Sequence, residues 1–193
     1  MAKQDPAYRT SGFLKKNLET LPHKKRLEYL NQKLRGIIQY AYKNSIAIKN
    51  KMESVGLKPK DIQTIKDLEK IPITKKADLV ELQKKNPPFG GFEGVPISEL
   101  KRIYVSPGPI CEPGEMEYNE LGWAQGMFAG GFRPGDIVIN TFSYHMVPFA
   151  LHMVDNSLHR NGCIVIPTGV GITMQPFRWR ELSTICRAKG TMW

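Results

Sequence analysis

The feature that most constrains this chain is a pair of short, wholly apolar runs, Ile137-Val138-Ile139 and Cys163-Ile164-Val165-Ile166, with helical periodicity between them. Runs of this length without polar alternation are strands buried on both faces, and strands alternating with helices pair in parallel through right-handed crossovers. The expected class is therefore α/β. In such sheets ligands gather at the carboxyl ends of the strands, here the loops beginning near Asn140 and Thr168. A third run, Ile103-Tyr104-Val105, precedes the loop at 106–114 and is expected to open onto the same edge.

Upstream of these strands the pattern changes. In 23–43 apolar residues recur every three or four positions at Leu27, Leu30, Leu34, Ile37, Ile38 and Ala41, one face of an amphipathic helix. A second helix is expected over 45–55, stopped by Gly56. Short helices are expected at 60–68 and 75–84, with Thr74 as the cap of the latter. The segment 86–94 is rich in proline and glycine and reads as a connector. The organisation so predicted is a helical region, 1–102, followed by parallel βαβα units over 103–193. Further helices are expected at 117–128, 148–160 and 175–189, and the final Thr191-Met192-Trp193 reads as the start of another strand, so the sheet subdomain is expected to be incomplete.

Charge divides at the same place. Residues 1–102 hold 22 Lys and Arg against 11 Asp and Glu, a balance of +11, whereas 103–193 hold 6 against 7, or −1, giving the +10 of the whole chain. In the basic half the cations alternate with acids and apolar residues, as in Lys24-Lys25-Arg26-Leu27-Glu28, which is the pattern of a solvated helix face. A nucleic-acid surface would interleave aromatic stacking groups, so no nucleic-acid partner is expected, although the charge keeps that third reading open. The beginning of the chain lacks a leader pattern and no run approaches a membrane span, which places the expected protein in the cytoplasm, away from any membrane.

Three cysteines, Cys111, Cys163 and Cys186, have neither disulfide nor zinc-site spacing. His145, His152 and His159 recur every seven residues, a rise of about 10 Å between members of one helix face, too far to share an ion. No metal site is expected.

The order of features carries more than any one of them. Lys70-Ile71-Pro72-Ile73-Thr74-Lys75 with Asp78-Leu79, then Arg102-Ile103-Tyr104-Val105-Ser106, Arg133-Pro134-Gly135-Asp136 and Gly162-Cys163-Ile164-Val165-Ile166-Pro167 together resemble the N-terminal domain of the adenylate-forming enzymes, specifically the phenylacetate-CoA ligase family. The resemblance implies a divergent, incomplete ligase domain and a reaction in which a carboxylic acid, an aryl acid in the family, is converted with ATP and CoA to acyl-CoA, AMP and diphosphate. It implies magnesium with the ATP, on ligands outside this chain, and a phosphate loop at Ser106, Gly108, Pro109, Ile110 and Glu112. Tyr144 and His145, after the Ile137 strand, and Gly169 and Gly171, after the Ile166 strand, are the expected substrate pocket.

In the family that loop is rich in Ser, Thr and Gly and ends in Lys-Pro. Here Pro107 and Pro109 have no N–H to donate, Ile110 replaces a hydroxyl with hydrocarbon, and Glu112 stands where the family has lysine. Two readings stay open: a ligase-like protein whose present span does not complete the reaction, and a ligand-binding or interaction module on the same scaffold with adenylation lost. For His145, a pocket role and a backbone-bonded position beside a helix are equally open. Exposed apolar surface at the last strand would favour self-association or pairing with a further part of the fold.

Overall fold

The computed structural model describes residues 6–106, 108–114, 122–145 and 153–169. In chain order its elements are α1 Pro6–Thr10, α2 Lys16–Glu19, α3 His23–Asn44, α4 Ile46–Glu53, α5 Lys76–Lys85, β1 Arg102–Ser106, β2 Ile110–Gly114, α6 Trp123–Ala129, β3 Ile137–Asn140, α7 Asn156–Arg160 and β4 Ile164–Pro167. They fall into two units, 20–116 and 1–19 with 117–193, so β1 and β2 belong with α3 to α5. The sequence pattern instead divides the chain into 1–102, with the 86–94 connector inside it, and 103–193. The expected helix at 175–189 and the strand at 191–193 lie outside the described residues, as does most of the 148–160 helix before α7.

In the 20–116 unit, Leu34 and Ile38 of α3 close over Met52 and Ile62, with Tyr42, Ile48, Leu57 and Ile71 packed around them. The buried stripe is narrower than the periodicity predicted, because Leu30 and Ile37 are exposed. Ile37 sits beside Leu34 and Ile38 along the axis but turns away from α4, and α3, about 33 Å long, outruns the 8-residue α4 of about 12 Å. Ser45 joins the two. Its hydroxyl accepts from the Ile48 N–H to cap α4 and donates to the Gly91 carbonyl, which also accepts from Ala47.

The helix expected at 60–68 is instead two 3₁₀ turns, Pro59–Asp61 and Ile65–Lys70. Asp61 accepts the Lys58 N–H, and Asp67 accepts from Gln63 and Thr64 while pairing with Lys70, which holds its carboxyl far below the usual carboxylate range. Each aspartate thus closes one tight turn in place of a continuing helix. Thr74 does not cap α5. Its hydroxyl accepts from Lys51 Nζ, and Lys75 stands at the N-cap with no side-chain bond.

The 103–114 segment departs furthest from expectation. Val105 does not lead into an open loop, since β1 and β2 form an antiparallel hairpin with Ser106 opposite Ile110 and Tyr104 opposite Glu112. The free edge of β2 is occupied: the Gln83 carboxamide of α5 accepts from the Cys111 N–H and donates to its carbonyl, both at 2.8 Å. Pro113, two residues on and facing the same way, has no N–H. Gly114 lies against Tyr104, whose ring would stand 2.5 Å from an added Cβ.

In the other unit β3 and β4 pair in parallel, Ile137 opposite Ile164 through Asn140 opposite Pro167, as the two apolar runs predicted. Val138, Val154, Leu158 and Cys163 form its core, with Met127, Phe132 and Val165 around them. Burial pushes the Cys163 thiol up to about 11. Cys111 is partly exposed. Iodoacetamide at neutral pH is accordingly expected to modify Cys111 well before Cys163, which peptide mass spectrometry resolves; faster labelling of Cys163 would contradict this core.

The turn into β3 is built on charge. The Asp136 carboxylate accepts from the Arg133 N–H and from both Arg9 guanidinium nitrogens, at 2.8 and 2.9 Å. Arg133, only 3% exposed, donates from its guanidinium to the carbonyls of Tyr8, Arg9, Ser11, Phe128 and Phe132 and stacks 3.7 Å from the Phe128 ring centroid. Residues 8–11 are held against the turn by these bonds. No helix among the described residues is long and apolar enough to cross a membrane.

Candidate functional site at the end of the parallel strands

At the carboxyl end of β3 the chain leaves the sheet through Asn140, which is 2% exposed. Its side chain works in two directions: Nδ2 donates to Asp155 Oδ1 at 2.6 Å, and Oδ1 accepts from the Phe142 N–H at 3.0 Å. Its carbonyl accepts from Thr168 N and Oγ1 and from Gly169 N, at 3.0 to 3.1 Å. One residue therefore ties the loops after β3 and β4 together. Gly169, with φ +69°, takes the left-handed conformation that this close turn requires.

Tyr144 lies over this junction. Its hydroxyl donates to the carboxylate of Asp155, 3.0 Å from each oxygen, and its ring edge would stand 3.8 Å from a Cβ at Gly169. Burial, and then the Asp155 carboxylate, push the Tyr144 phenol well above its ordinary range. It is a hydrogen-bond donor at neutral pH and no nucleophile. The arrangement holds a rigid aromatic wall and a fixed carboxylate at the edge where α/β sheets bind ligands.

Of the expected pocket residues, Tyr144 and Gly169 are brought together. His145 is exposed, and its backbone N–H and carbonyl are both bonded to the Ser143 hydroxyl. Gly171 lies outside the described residues. Asn140 and Asp155 are the members that the sequence reading missed. The available signal was a lone carboxylate at 155 beside Val154, Ser157 and Leu158, a helical face that is otherwise buried.

The other expected site lies in the hairpin of the 20–116 unit. Ser106 Oγ is 3.5 Å from the Ile110 carbonyl, Gly108 is exposed with φ +109°, and Pro109 is exposed. Ile110 is 4% exposed and belongs to the hairpin's buried side, while the Cys111 N–H is already donated to Gln83. Pro107 lies outside the described residues. Glu112 is partly buried on β2 opposite Tyr104.

No protein-family model matches the chain. Among curated proteins it is 30% identical to the phenylacetate-coenzyme A ligase of Thermus thermophilus over 163 residues, 81% of this chain and 35% of that protein. It is 32% identical to the enzyme of that name from Pseudomonas putida over 149 residues, 74% of this chain and 33% of that one. The chain spans about a third of the length of these relatives. Among solved structures, 2-hydroxyisobutyryl-CoA ligase in its postadenylation state matches with a TM-score of 0.76 and 25% identity, over 95% of this chain and 39% of that one. An open conformation of the same enzyme, in complex with 2-HIB-AMP and CoA, matches with a TM-score of 0.74 and 26% identity over 86% of this chain and 37% of that one.

Proposed function

Since this chain is a distant homologue of the N-terminal third of the phenylacetate-coenzyme A ligases, we propose that it forms the N-terminal part of an acid–CoA ligase-like protein that holds a carboxylic acid, an aryl acid by family resemblance, beside the parallel strands. The complete reaction would join acid, ATP and CoA into acyl-CoA, AMP and diphosphate. Two thirds of the relatives' length has no counterpart here, so the chain alone is expected to show no turnover.

The observation that carries this reading is the junction of Asn140, Tyr144, Asp155 and Gly169. It supports the reading through an aromatic ring and glycine backbone at one strand end, against which a planar acid can stack, with the Asp155 charge taken up by Asn140 and Tyr144. The hairpin fits a triphosphate poorly. A phosphate loop needs N–H and hydroxyl donors converging on the anion. Here Pro109 has no N–H, the Cys111 N–H is spent on Gln83, Ile110 is buried, and Glu112 brings a negative charge.

That misfit favours one alternative: a ligand-binding module on the same scaffold, with adenylation lost. Calorimetric titration with magnesium-ATP, an aryl acyl-adenylate and CoA separates the two. The ligase-like reading expects acyl-adenylate to bind the wild type. It also expects E112K to tighten magnesium-ATP roughly tenfold to a hundredfold, the equivalent of about 1.5 to 3 kcal/mol for one hydrogen bond to a charged group. Absence of heat with all three ligands, in wild type and E112K alike, would sink it.

A further inference from the structure

Within the 20–116 unit, α5, the end of the 71–76 segment, the connector and β2 enclose a cleft of about 600 Å³, a size typical of small-molecule sites. Its walls are hydrocarbon and aromatic: Ile48, Leu79, Phe89, Phe92 and Ile110. Two carboxylates, Glu93 and Glu112, share that lining.

The other polar groups are committed or lie in solvent. Gln83 is bonded on both sides of its carboxamide to Cys111, Thr74 accepts from Lys51, and Lys76 is an exposed side chain. Glu93 differs from all of these. Its Oε2 has no hydrogen-bond partner among the described residues and, being closed off from solvent, meets a donor in the cleft once the side chain turns toward it. An ionised carboxylate offers acceptors only, and a buried acceptor without a donor is unfavourable until something supplies one. Of the three charged groups in the lining two are carboxylates and one, Lys76, is a cation with an exposed side chain, so the lining carries a net negative charge.

We propose that this cleft binds a small organic amine in its ammonium form, with the N–H groups on Glu93 and Glu112 and an aromatic or branched-alkyl body against Leu79, Phe89 and Phe92. The ligand is opposite in charge to the carboxylic acid proposed for the strand-end site, and the inference draws only on residues of the 20–116 unit. Carboxylates are rejected by the two glutamates, and neutral isosteres gain only the apolar contact.

Ligand-observed NMR titration of the full chain at neutral pH, with 2-phenylethylammonium, 2-phenylethanol and 3-phenylpropionate, tests this directly. The ammonium is expected to bind at least tenfold more tightly than the alcohol, and the carboxylate more weakly than either. E93Q should lower ammonium affinity about tenfold, to the level of the alcohol, with E112Q giving a smaller loss. Cys111 also lines the cleft, so saturating ammonium should slow its alkylation at least threefold while leaving Cys163 unaffected. Equal binding of ammonium and alcohol, no ammonium binding, or full ammonium preference in a folded E93Q would each overturn the proposal. If circular dichroism shows E93Q unfolded, the wild-type ratio and the Cys111 protection decide.

Discussion

Replacing Arg133 with alanine is expected to cost about 3 to 5 kcal/mol or more, since five carbonyls lose a charged donor and each buried acceptor left unmet costs about 1 to 3 kcal/mol. The guanidinium donates to five carbonyls, those of Tyr8, Arg9 and Ser11, of Phe128 in α6 and of Phe132 in the turn after it, whereas the backbone N–H bond to Asp136 survives the substitution. Loss of the guanidinium leaves those acceptors without a common donor and opens a gap beside Phe128. Against a total stability of roughly 5 to 15 kcal/mol, that is enough to populate unfolded forms of this unit. Arg133→Lys keeps the charge but lacks the planar fork, so it should recover only part of the loss. Arg9→Ala takes the guanidinium from Asp136, whose side chain is only 3% exposed, and should also cost about 3 to 5 kcal/mol, less whatever water regains at the 18% exposed Arg9 position. Urea unfolding followed by circular dichroism ranks the three; an Arg133→Ala protein as stable as wild type would contradict the network.

The second large effect is expected at Asp155. Alanine there removes the acceptor shared by the Asn140 amide and the Tyr144 hydroxyl, which are left with the bond to each other, at about 1 to 3 kcal/mol for a buried group short of a partner. Asparagine is the more informative substitution because it retains the volume and removes the charge. Since burial is the larger cause of the raised Tyr144 phenol and Asp155 the next, Asp155→Asn should lower its titration midpoint without returning it to the ordinary value.

The sign of the linked stability follows from the direction of that shift. A phenol held protonated by the fold contributes stability that is fully present below the unfolded value of about 10 and is lost as pH rises through the higher folded value. Wild type should therefore weaken in alkali more steeply than Tyr144→Phe. An absorbance titration of the tyrosines, paired with denaturation at alkaline pH, measures both quantities.

The parallel pair was legible because Ile137 to Ile139 and Cys163 to Ile166 are apolar without interruption, a pattern that burial on both faces imposes. The hairpin was not. Ile110 to Gly114 contains glutamate, proline and glycine, poor strand formers, and becomes a strand because β1 lies beside it, which is tertiary context overriding propensity. The same limit applies at 59–70, where Asp61 and Asp67 close turns through bonds to backbone N–H groups that periodicity does not register. In the strand-end site Tyr144 and Gly169 followed from their positions after strands. Asn140 and Asp155 did not, because their meeting depends on two elements folding onto each other across fifteen residues.

The bond between Gln83 and Cys111 also sets the direction in which this small sheet can grow. A strand recruits a neighbour through a row of unused donors and acceptors, and the side of β2 away from β1 is occupied at Cys111 and has no donor at Pro113. Any added strand, from this polypeptide or another, must dock along Ile103 and Val105 of β1, the opposite flank. One glutamine thus acts as a stopper, making a two-sided template one-sided and leaving one of the three ways in which two copies could join edge to edge.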